Sequence, residues 1–247
     1  MRSSPRQVLL LAALLSVPAL AAAEEAMPFS FKVDTGNVAS MQRGARNFMN
    51  YCSGCHSMKY LRYNRLGADL QIPQDLLQKN LMLTSEKVGD QINTSMPAQA
   101  ADWFGKPPPD LTLEARARGP DWVYNYLLTF YVDAKRPNGV NNLMLPNASM
   151  PHVLWELQGW QKLSEENKEG EGAGEKAAPK FELVQPGSLK PDEYGHWVGD
   201  LVNFMAYAAE PDKAERVSTG KAVLAYLVLL LLPLTYLLKR EFWKDVH

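Results

Sequence analysis

Five consecutive residues, Cys52-Ser53-Gly54-Cys55-His56, carry the most specific chemistry in this sequence. Two thiols at this spacing can each form a thioether with a vinyl group of the same porphyrin, and the imidazole that follows is placed to ligate its iron. The spacing C-x-x-C-H is the attachment signature of c-type haem. We therefore predict one covalently attached haem c, held by Cys52 and Cys55, with His56 as an axial ligand of the iron.

Paired cysteines at this spacing also occur in redox dithiols and in half-sites for zinc. Cys52 and Cys55 are the only cysteines in the chain, so a zinc site that needs further cysteines cannot be completed. The histidine directly after Cys55 is not part of the redox-dithiol motif. Both observations favour haem.

The N-terminus has the pattern of an export signal that is cleaved. Arg2 and Arg6 supply positive charge, residues 8–15 form an apolar core, and the alanines at 21–23 suit the cleavage site of a signal peptidase. The apolar core is too short to span a membrane. We predict that residues 1–23 are a cleaved signal peptide.

A second apolar segment lies near the C-terminus. Residues 222–238 contain no charged side chain, and at 1.5 Å per residue they cover roughly 26 Å of a hydrocarbon core of about 30 Å. Lys239-Arg240 and Phe242-Trp243 follow directly, and basic residues with aromatic neighbours mark the cytoplasmic boundary of a membrane helix. We predict a transmembrane anchor at residues 219–240.

Together the two apolar segments predict a single-pass protein of a bacterial inner membrane. Residues 24–212 form a haem domain in the periplasm, and residues 241–247 form a short cytoplasmic C-terminus. The formal net charge of −1 gives no polycationic surface, so we expect no nucleic acid among the partners.

Apolar periodicity and helix-breaking residues predict a mainly α domain with long loops. Helices are expected at 37–51, 75–87, 111–118, 122–132 and 191–209. Three consecutive prolines make residues 106–111 extended. Residues 133–152 are predicted to be a loop rich in Asn, Pro and Gly, and the glutamate-rich residues 164–176 to be a surface insertion.

The second axial ligand of the iron has several candidates in the residues after the motif: Met58, Met96, Met144, Met150 and His152. Met58 is too close to His56 to reach the opposite haem face. Met144 lies between two leucines, which is typical of a core residue. Met96 and Met150 each precede a proline in a loop, and the residues themselves leave both open, with His152 beside them.

Several segments of the chain resemble cytochrome c1, the haem subunit of the quinol:cytochrome c oxidoreductase, or cytochrome bc1 complex. They are the string CSGCHSMKYLRYNRL at 52–66, PPDL at 108–111, Arg118-Gly119, Met150-Pro151 and the sequence AAEP between the last long helix and the anchor. The resemblance covers the chain from its first helix to its C-terminal anchor.

This resemblance implies a c-type cytochrome fold with long loop insertions and one C-terminal transmembrane helix. It also implies roles for individual residues. His56 and Met150 are the iron ligands, Arg118 pairs with a haem propionate, and Pro109 of the PPDL segment belongs to the cofactor-binding residues. The methionine sulfur favours Fe(II) and raises the reduction potential.

The resemblance further implies a function as a membrane-anchored, mono-haem electron carrier. Such a subunit takes single electrons from a Rieske iron–sulfur protein and delivers them to a soluble cytochrome c, beside cytochrome b in a dimeric complex. A tethered cytochrome c that feeds a terminal oxidase is the alternative with the same motif. A haem enzyme such as a peroxidase, which needs an open iron position, is the alternative of a different class.

We expect the mature chain to begin at or near Glu24, because small residues precede it at the positions that a signal peptidase requires. N-terminal sequencing of the subunit purified from membranes measures this directly. Retention of Met1 would contradict the assignment.

Overall fold

The computed structural model describes residues 27–97, 99–164 and 180–244. The predicted signal peptide and nearly all of the glutamate-rich insertion lie outside these residues. The described chain is mainly helical, as the sequence predicted.

The helices, in chain order, are α1 (Val38–Tyr51), α2 (Tyr63–Asp69), α3 (Gln74–Asn80), α4 (Ala100–Phe104), α5 (Glu114–Ala117), α6 (Pro120–Leu128), α7 (Trp155–Gln158), α8 (Pro191–Ala209), α9 (Lys213–Tyr226) and α10 (Leu232–Phe242). The strands are β1 (Met58–Arg62), β2 (Gln91–Ile92), β3 (Phe130–Val132), β4 (Val140–Asn142), β5 (Gly159–Leu163) and β6 (Phe181–Pro186). Within the described residues these strands form three antiparallel pairs, β1 with β2, β3 with β4 and β5 with β6.

Helices α1 and α8 cross at Gly44, and the domain core forms around this crossing. A Cβ atom on Gly44 would lie 2.0 Å from the carbonyl oxygen of Asp200 and 2.7 Å from the Cβ of Phe204. The backbones therefore approach as closely as they do only because residue 44 has no side chain. Next to the crossing, the rings of Phe48 and Phe204 lie 5.8 Å apart, and both are fully buried.

A polar network fixes the register of the same two helices. The Asp200 carboxylate accepts hydrogen bonds from the Ser40 hydroxyl at 2.6 Å and from two guanidinium nitrogens of Arg43 at 2.6 and 2.7 Å. The Asn203 amide donates to the Ser40 hydroxyl at 3.0 Å. Each partly buried polar group is thereby paired, so the network adds specificity without leaving an unsatisfied group.

The predicted helix over 122–132 is two elements in the structure. Helix α6 ends at Leu128, and after Thr129 the chain continues as strand β3. Phe130, Tyr131 and Val132 are aromatic or β-branched, and they pair in register with residues 140–142. The apolar pattern marked the core correctly, but a continuous apolar stretch does not distinguish a helix from a helix followed by a buried strand.

Two other predicted helices are shorter than expected. Helix α3 ends at Asn80. Within the rest of the predicted range, the hydroxyls of Thr84 and Ser85 instead bond the Asn93 carbonyl and the Asp90 carboxylate. Helix α5 covers only Glu114–Ala117 of the predicted 111–118. By contrast, α8 occupies all of the predicted 191–209.

Within the described part of the chain, one helix is long and apolar enough to cross a membrane. It runs over Lys213–Phe242 and includes the predicted anchor at 219–240. Its 30 residues would measure about 45 Å. A π-helical turn at Leu227–Leu231 precedes Pro233, which has no N–H to donate to the preceding turn.

Replacing Gly44 by Ala should destabilise the domain by about 1–3 kcal/mol, because the added methyl group forces α1 and α8 apart. The gain in helix propensity, about 1 kcal/mol, does not offset this. The midpoint of thermal unfolding of the full chain in detergent should fall by about 2–4 °C for each kcal/mol.

Gly89→Ala is the matched control, since a Cβ at Gly89 meets no atom within 4 Å. It should change stability by at most about 0.5 kcal/mol. Equal midpoints for the two variants would contradict the close-crossing interpretation.

Candidate haem-attachment site

The C-x-x-C-H motif lies in a turn that continues α1. The backbone N–H groups of Cys55 and His56 both donate to the Cys52 carbonyl, at 3.0 and 2.8 Å, and the N–H of Cys52 donates to Phe48. The hydroxyl of Ser53 donates to the Met49 carbonyl at 2.7 Å. Residues three and four apart share a face of a helical turn. The two cysteines and the histidine are therefore held together by the end of one helix.

The electrostatics of the two thiols argue against a redox dithiol. Burial raises the pKa of Cys52 to about 12, with the nearby Cys55 adding to the effect, and burial also raises the pKa of Cys55. Neither thiol is in a disulfide. Reactive C-x-x-C cysteines have a lowered pKa, because the thiolate is the nucleophile. These thiols have the opposite property.

The zinc alternative lacks a ligand set in the described ranges. No three side chains of His, Cys, Asp or Glu among them converge on a position that could hold a metal ion. Covalent haem needs no such cluster, since the protein provides two thioether bonds and two axial ligands.

The ring orientation of His56 is set by Pro109. Nδ1 of His56 lies 2.8 Å from the backbone carbonyl oxygen of Pro109. A carbonyl only accepts, so Nδ1 carries the proton and Nε2 keeps its lone pair. A hydrogen bond from the second ring nitrogen to a carbonyl is the usual way in which proteins orient a metal-ligating histidine. The residues present thus fit the attachment of haem c, and Nε2 of His56 would be available to ligate its iron.

The protonation of His56 suits the same role. Burial lowers the pKa of His56, while the Pro109 hydrogen bond and the carboxylates of Asp110 and Glu114 act in the opposite direction. Burial is the largest of these effects, so the imidazole is neutral at pH 7. A neutral imidazole is the form that ligates a metal.

The segment that delivers the Pro109 carbonyl lies outside any helix or strand, in keeping with its three prolines. It is joined to the chain after the motif by two backbone donors: Leu111 donates to the Ser57 carbonyl at 2.9 Å, and Lys59 donates to Asp110 at 2.8 Å. The other Asp110 oxygen accepts from the hydroxyl of Thr112 at 2.6 Å. Sequence analysis missed Asp110 and Thr112; the available signal was the spacing Asp-x-Thr, which favours a local turn.

Arg118 is linked to the surroundings of His56 by an ion pair with Glu114. Its guanidinium pairs with the Glu114 carboxylate, one turn earlier, and stacks over the Trp122 ring at 4.2 Å. Glu114 is one of the carboxylates that act on the pKa of His56. A side chain that is 44% exposed keeps donors available for another anion.

The candidates for the second axial ligand lie in different environments. Met58 is fully buried in the hydrophobic core. Met96 is half-buried, and its N–H donates to Thr94, whose hydroxyl bonds Gly54 in the attachment loop. Met144 and Met150 are half-buried in the loop after β4. His152 is 5% exposed and stacks on Phe130, and burial lowers its pKa to about 4.

The chain matches the model of the Cytochrome C1 family over residues 27–95 and 78–246. A cytochrome c1 of Allochromatium vinosum is 50% identical over 219 residues, which are 88% of this chain and 89% of that protein. A Nitrosomonas europaea protein named ammonia monooxygenase gamma subunit is 41% identical over 216 residues, 87% of each chain. A cytochrome c1 of Rhodospirillum rubrum is 28% identical over 239 residues, 83% of this chain and 81% of that protein.

Members of the family that these matches define carry haem c, and the cysteines of this chain have the attachment spacing in a helical turn with a correctly oriented histidine. The resemblance noted in the sequence is confirmed: the chain belongs to the cytochrome c1 family, the haem subunit of the cytochrome bc1 complex.

Proposed function

We propose that this chain accepts single electrons from a Rieske iron–sulfur protein and delivers them to a soluble cytochrome c within a ubiquinol:cytochrome c oxidoreductase. The proposal places the haem domain in the periplasm, the C-terminus in the cytoplasm and the complex, as a dimer with cytochrome b, in a bacterial inner membrane. The observation that carries it is the match to the Cytochrome C1 family over residues 27–95 and 78–246, and the 2.8 Å hydrogen bond between His56 and Pro109 supports the haem ligation on which the function depends.

Bound haem c supplies a one-electron Fe(III)/Fe(II) couple. The chain's own residues hold it in place: Cys52 and Cys55 form the thioether bonds, His56 presents Nε2, and Met150 presents its sulfur as the second ligand. Arg118 carries the positive charge that pairs with a propionate. His56 itself needs to exchange no proton, because its Nδ1–H donates to the Pro109 carbonyl and its Nε2 would serve as the iron ligand.

Ligand identity outweighs the surrounding charges in setting the potential. Axial ligands account for a range of about 0.8 V among haem proteins. An exposed charge such as Arg118, which is 44% exposed, contributes about 1 kcal/mol or less, or roughly 40 mV for one electron. A methionine as the second ligand is therefore the main reason to expect a high potential.

Purification from native membranes tests the function. When the full chain is solubilised in mild detergent and purified, cytochrome b and a Rieske protein should co-purify with it. The same fraction should have quinol:cytochrome c activity. A preparation that contains a terminal oxidase and lacks cytochrome b would instead support the tethered cytochrome c alternative. A high-spin ferric spectrum with rapid ligand binding would support a haem enzyme.

Replacing Met150 by Leu keeps the side-chain volume and removes the sulfur. We expect loss of the sulfur-to-iron charge-transfer band, a fall in potential on the order of 0.1 V or more within the range that axial ligands set, and loss of quinol:cytochrome c turnover. The haem should stay attached, because the thioether bonds are untouched.

Met96→Leu is the matched control for that variant, since Met96 is also half-buried and also precedes a proline. Its spectrum and potential should equal those of the unmodified chain. If the effects of the two substitutions were exchanged, Met96 would be the ligand.

A further inference from the structure

We propose that Asn142 and His152 are positioning residues for Met150. They attach the two ends of the loop that contains Met150 to neighbouring groups of α6 and β3, so that the methionine sulfur has one fixed place. This inference rests on the proposed role of Met150 as an iron ligand, and it concerns the loop that the sequence predicted only as rich in Asn, Pro and Gly.

The upstream attachment is made by the side-chain amide of Asn142, which is fully buried. Its Nδ2 donates to the backbone carbonyl of Tyr126, in α6, at 2.7 Å. Its Oδ1 accepts from the backbone N–H groups of Met144 and Leu145 at 2.9 and 3.1 Å. One side chain thus starts the loop and joins it to the helix.

The neighbouring Asn141 closes the same part of the loop. Its Oδ1 accepts from the N–H of Asn147 at 2.8 Å, and its Nδ2 donates to Asp133 at 3.0 Å. Asn147 has a φ of +64°, a left-handed conformation that Asn tolerates better than most residues. The asparagines that suggested an irregular loop are therefore the groups that order it.

The downstream attachment is made by the ring of His152. The imidazole stacks on Phe130 of β3, with the ring centroids 5.1 Å apart and the planes 7° from parallel. The ring of Trp160 meets it edge-on at 5.7 Å. His152 is thereby held between two aromatic rings at 5% exposure.

The two attachments converge on one place. The rings of Tyr126 and Phe130 are themselves in contact, with centroids 5.1 Å apart. Asn142 is bonded to the backbone of the first of these residues and His152 stacks on the ring of the second. Both ends of the loop are consequently fixed to a single unit, which restricts the positions that Met150 can occupy.

These contacts also favour a positioning role for His152 over iron ligation. Among the described residues, its Nε2 has no hydrogen-bond partner. To reach iron, however, the ring would have to leave the Phe130 stack and the edge contact with Trp160. Only Pro151 separates it from Met150, so a ring fixed in the Phe130 stack restricts the backbone next to the methionine.

The test compares haem-loaded full-length variants in detergent, well below their unfolding temperatures. His152→Leu removes the stacked ring and Asn142→Asp removes the donor to Tyr126. In both we expect a weaker sulfur-to-iron charge-transfer band, a lower midpoint potential and binding of added imidazole at least tenfold tighter than in the unmodified chain. His152→Phe keeps the stack and should retain most of the band.

His196→Leu, on an exposed position of α8, is the matched control and should match the unmodified chain in all three readouts. The inference is overturned if His152→Leu and Asn142→Asp lower the unfolding temperature but leave the band, the potential and imidazole binding unchanged. It is also overturned if His152→Leu removes low-spin ligation while Met150→Leu does not. An unmodified chain without a methionine band would refute the proposed ligand itself, which is a separate result.

Discussion

The close contact between α1 and α8 at Gly44 is the constraint on which the position of the haem-attachment turn depends. Helix α1 ends at the attachment turn, so its position sets that of Cys52 and His56, and α8 leads directly into the anchor. Because a Cβ at residue 44 would lie only 2.0 Å from the Asp200 carbonyl oxygen, the two helices pack at this distance only with glycine at that position. The hydrogen bonds of Ser40 and Arg43 to Asp200 fix how the two helices are aligned along their lengths. One helix crossing therefore relates the haem-attachment site to the C-terminal apolar helix.

The residues around the attachment turn belong to irregular segments whose backbone conformations are restricted by prolines and hydrogen bonds. The prolines before Asp110 restrict the backbone, and the bonds from Leu111 to Ser57 and from Lys59 to Asp110 bind the segment to the chain after the motif. The Pro109 carbonyl consequently reaches His56 from a segment whose prolines limit its backbone conformations. The Met150 loop follows the same principle, with the Asn142 amide and the His152 ring in place of prolines. Rigid loops suit an electron carrier, because little reorganisation is then needed when the charge of the iron changes.

Much of this was visible in the sequence, for reasons that are local. The C-x-x-C-H spacing, the helix-breaking prolines and the helix over 191–209 each depend on neighbouring residues. The structure confirms the helix over 191–209 and has no helix at the prolines. The predicted helix over 122–132 was wrong after Leu128, because the pairing of Phe130 with Asn142 is a contact that no local pattern contains. The hydrogen bond from His56 to Pro109 joins residues 53 positions apart and was likewise not derivable from periodicity. Long-range pairings of this kind decide how the site is oriented.

A cluster of ion pairs joins the haem domain to the C-terminal apolar helix. Glu210, between α8 and α9, pairs with Lys213 and Arg216 of the anchor helix and with Arg116 of the haem domain, and Arg65 of that domain pairs with Asp212. The pKa of Glu210 is lowered, first by Arg216 and then by Lys213. A lowered carboxyl pKa means that this stabilisation is complete at neutral pH and is lost as the pH falls through the folded-state value. Most of these groups are largely exposed, so each pair is worth at most about 1 kcal/mol. Three of the pairs share the Glu210 carboxylate, which is only 15% exposed, so this residue is the one whose loss would remove most contacts between the domain and the C-terminal helix.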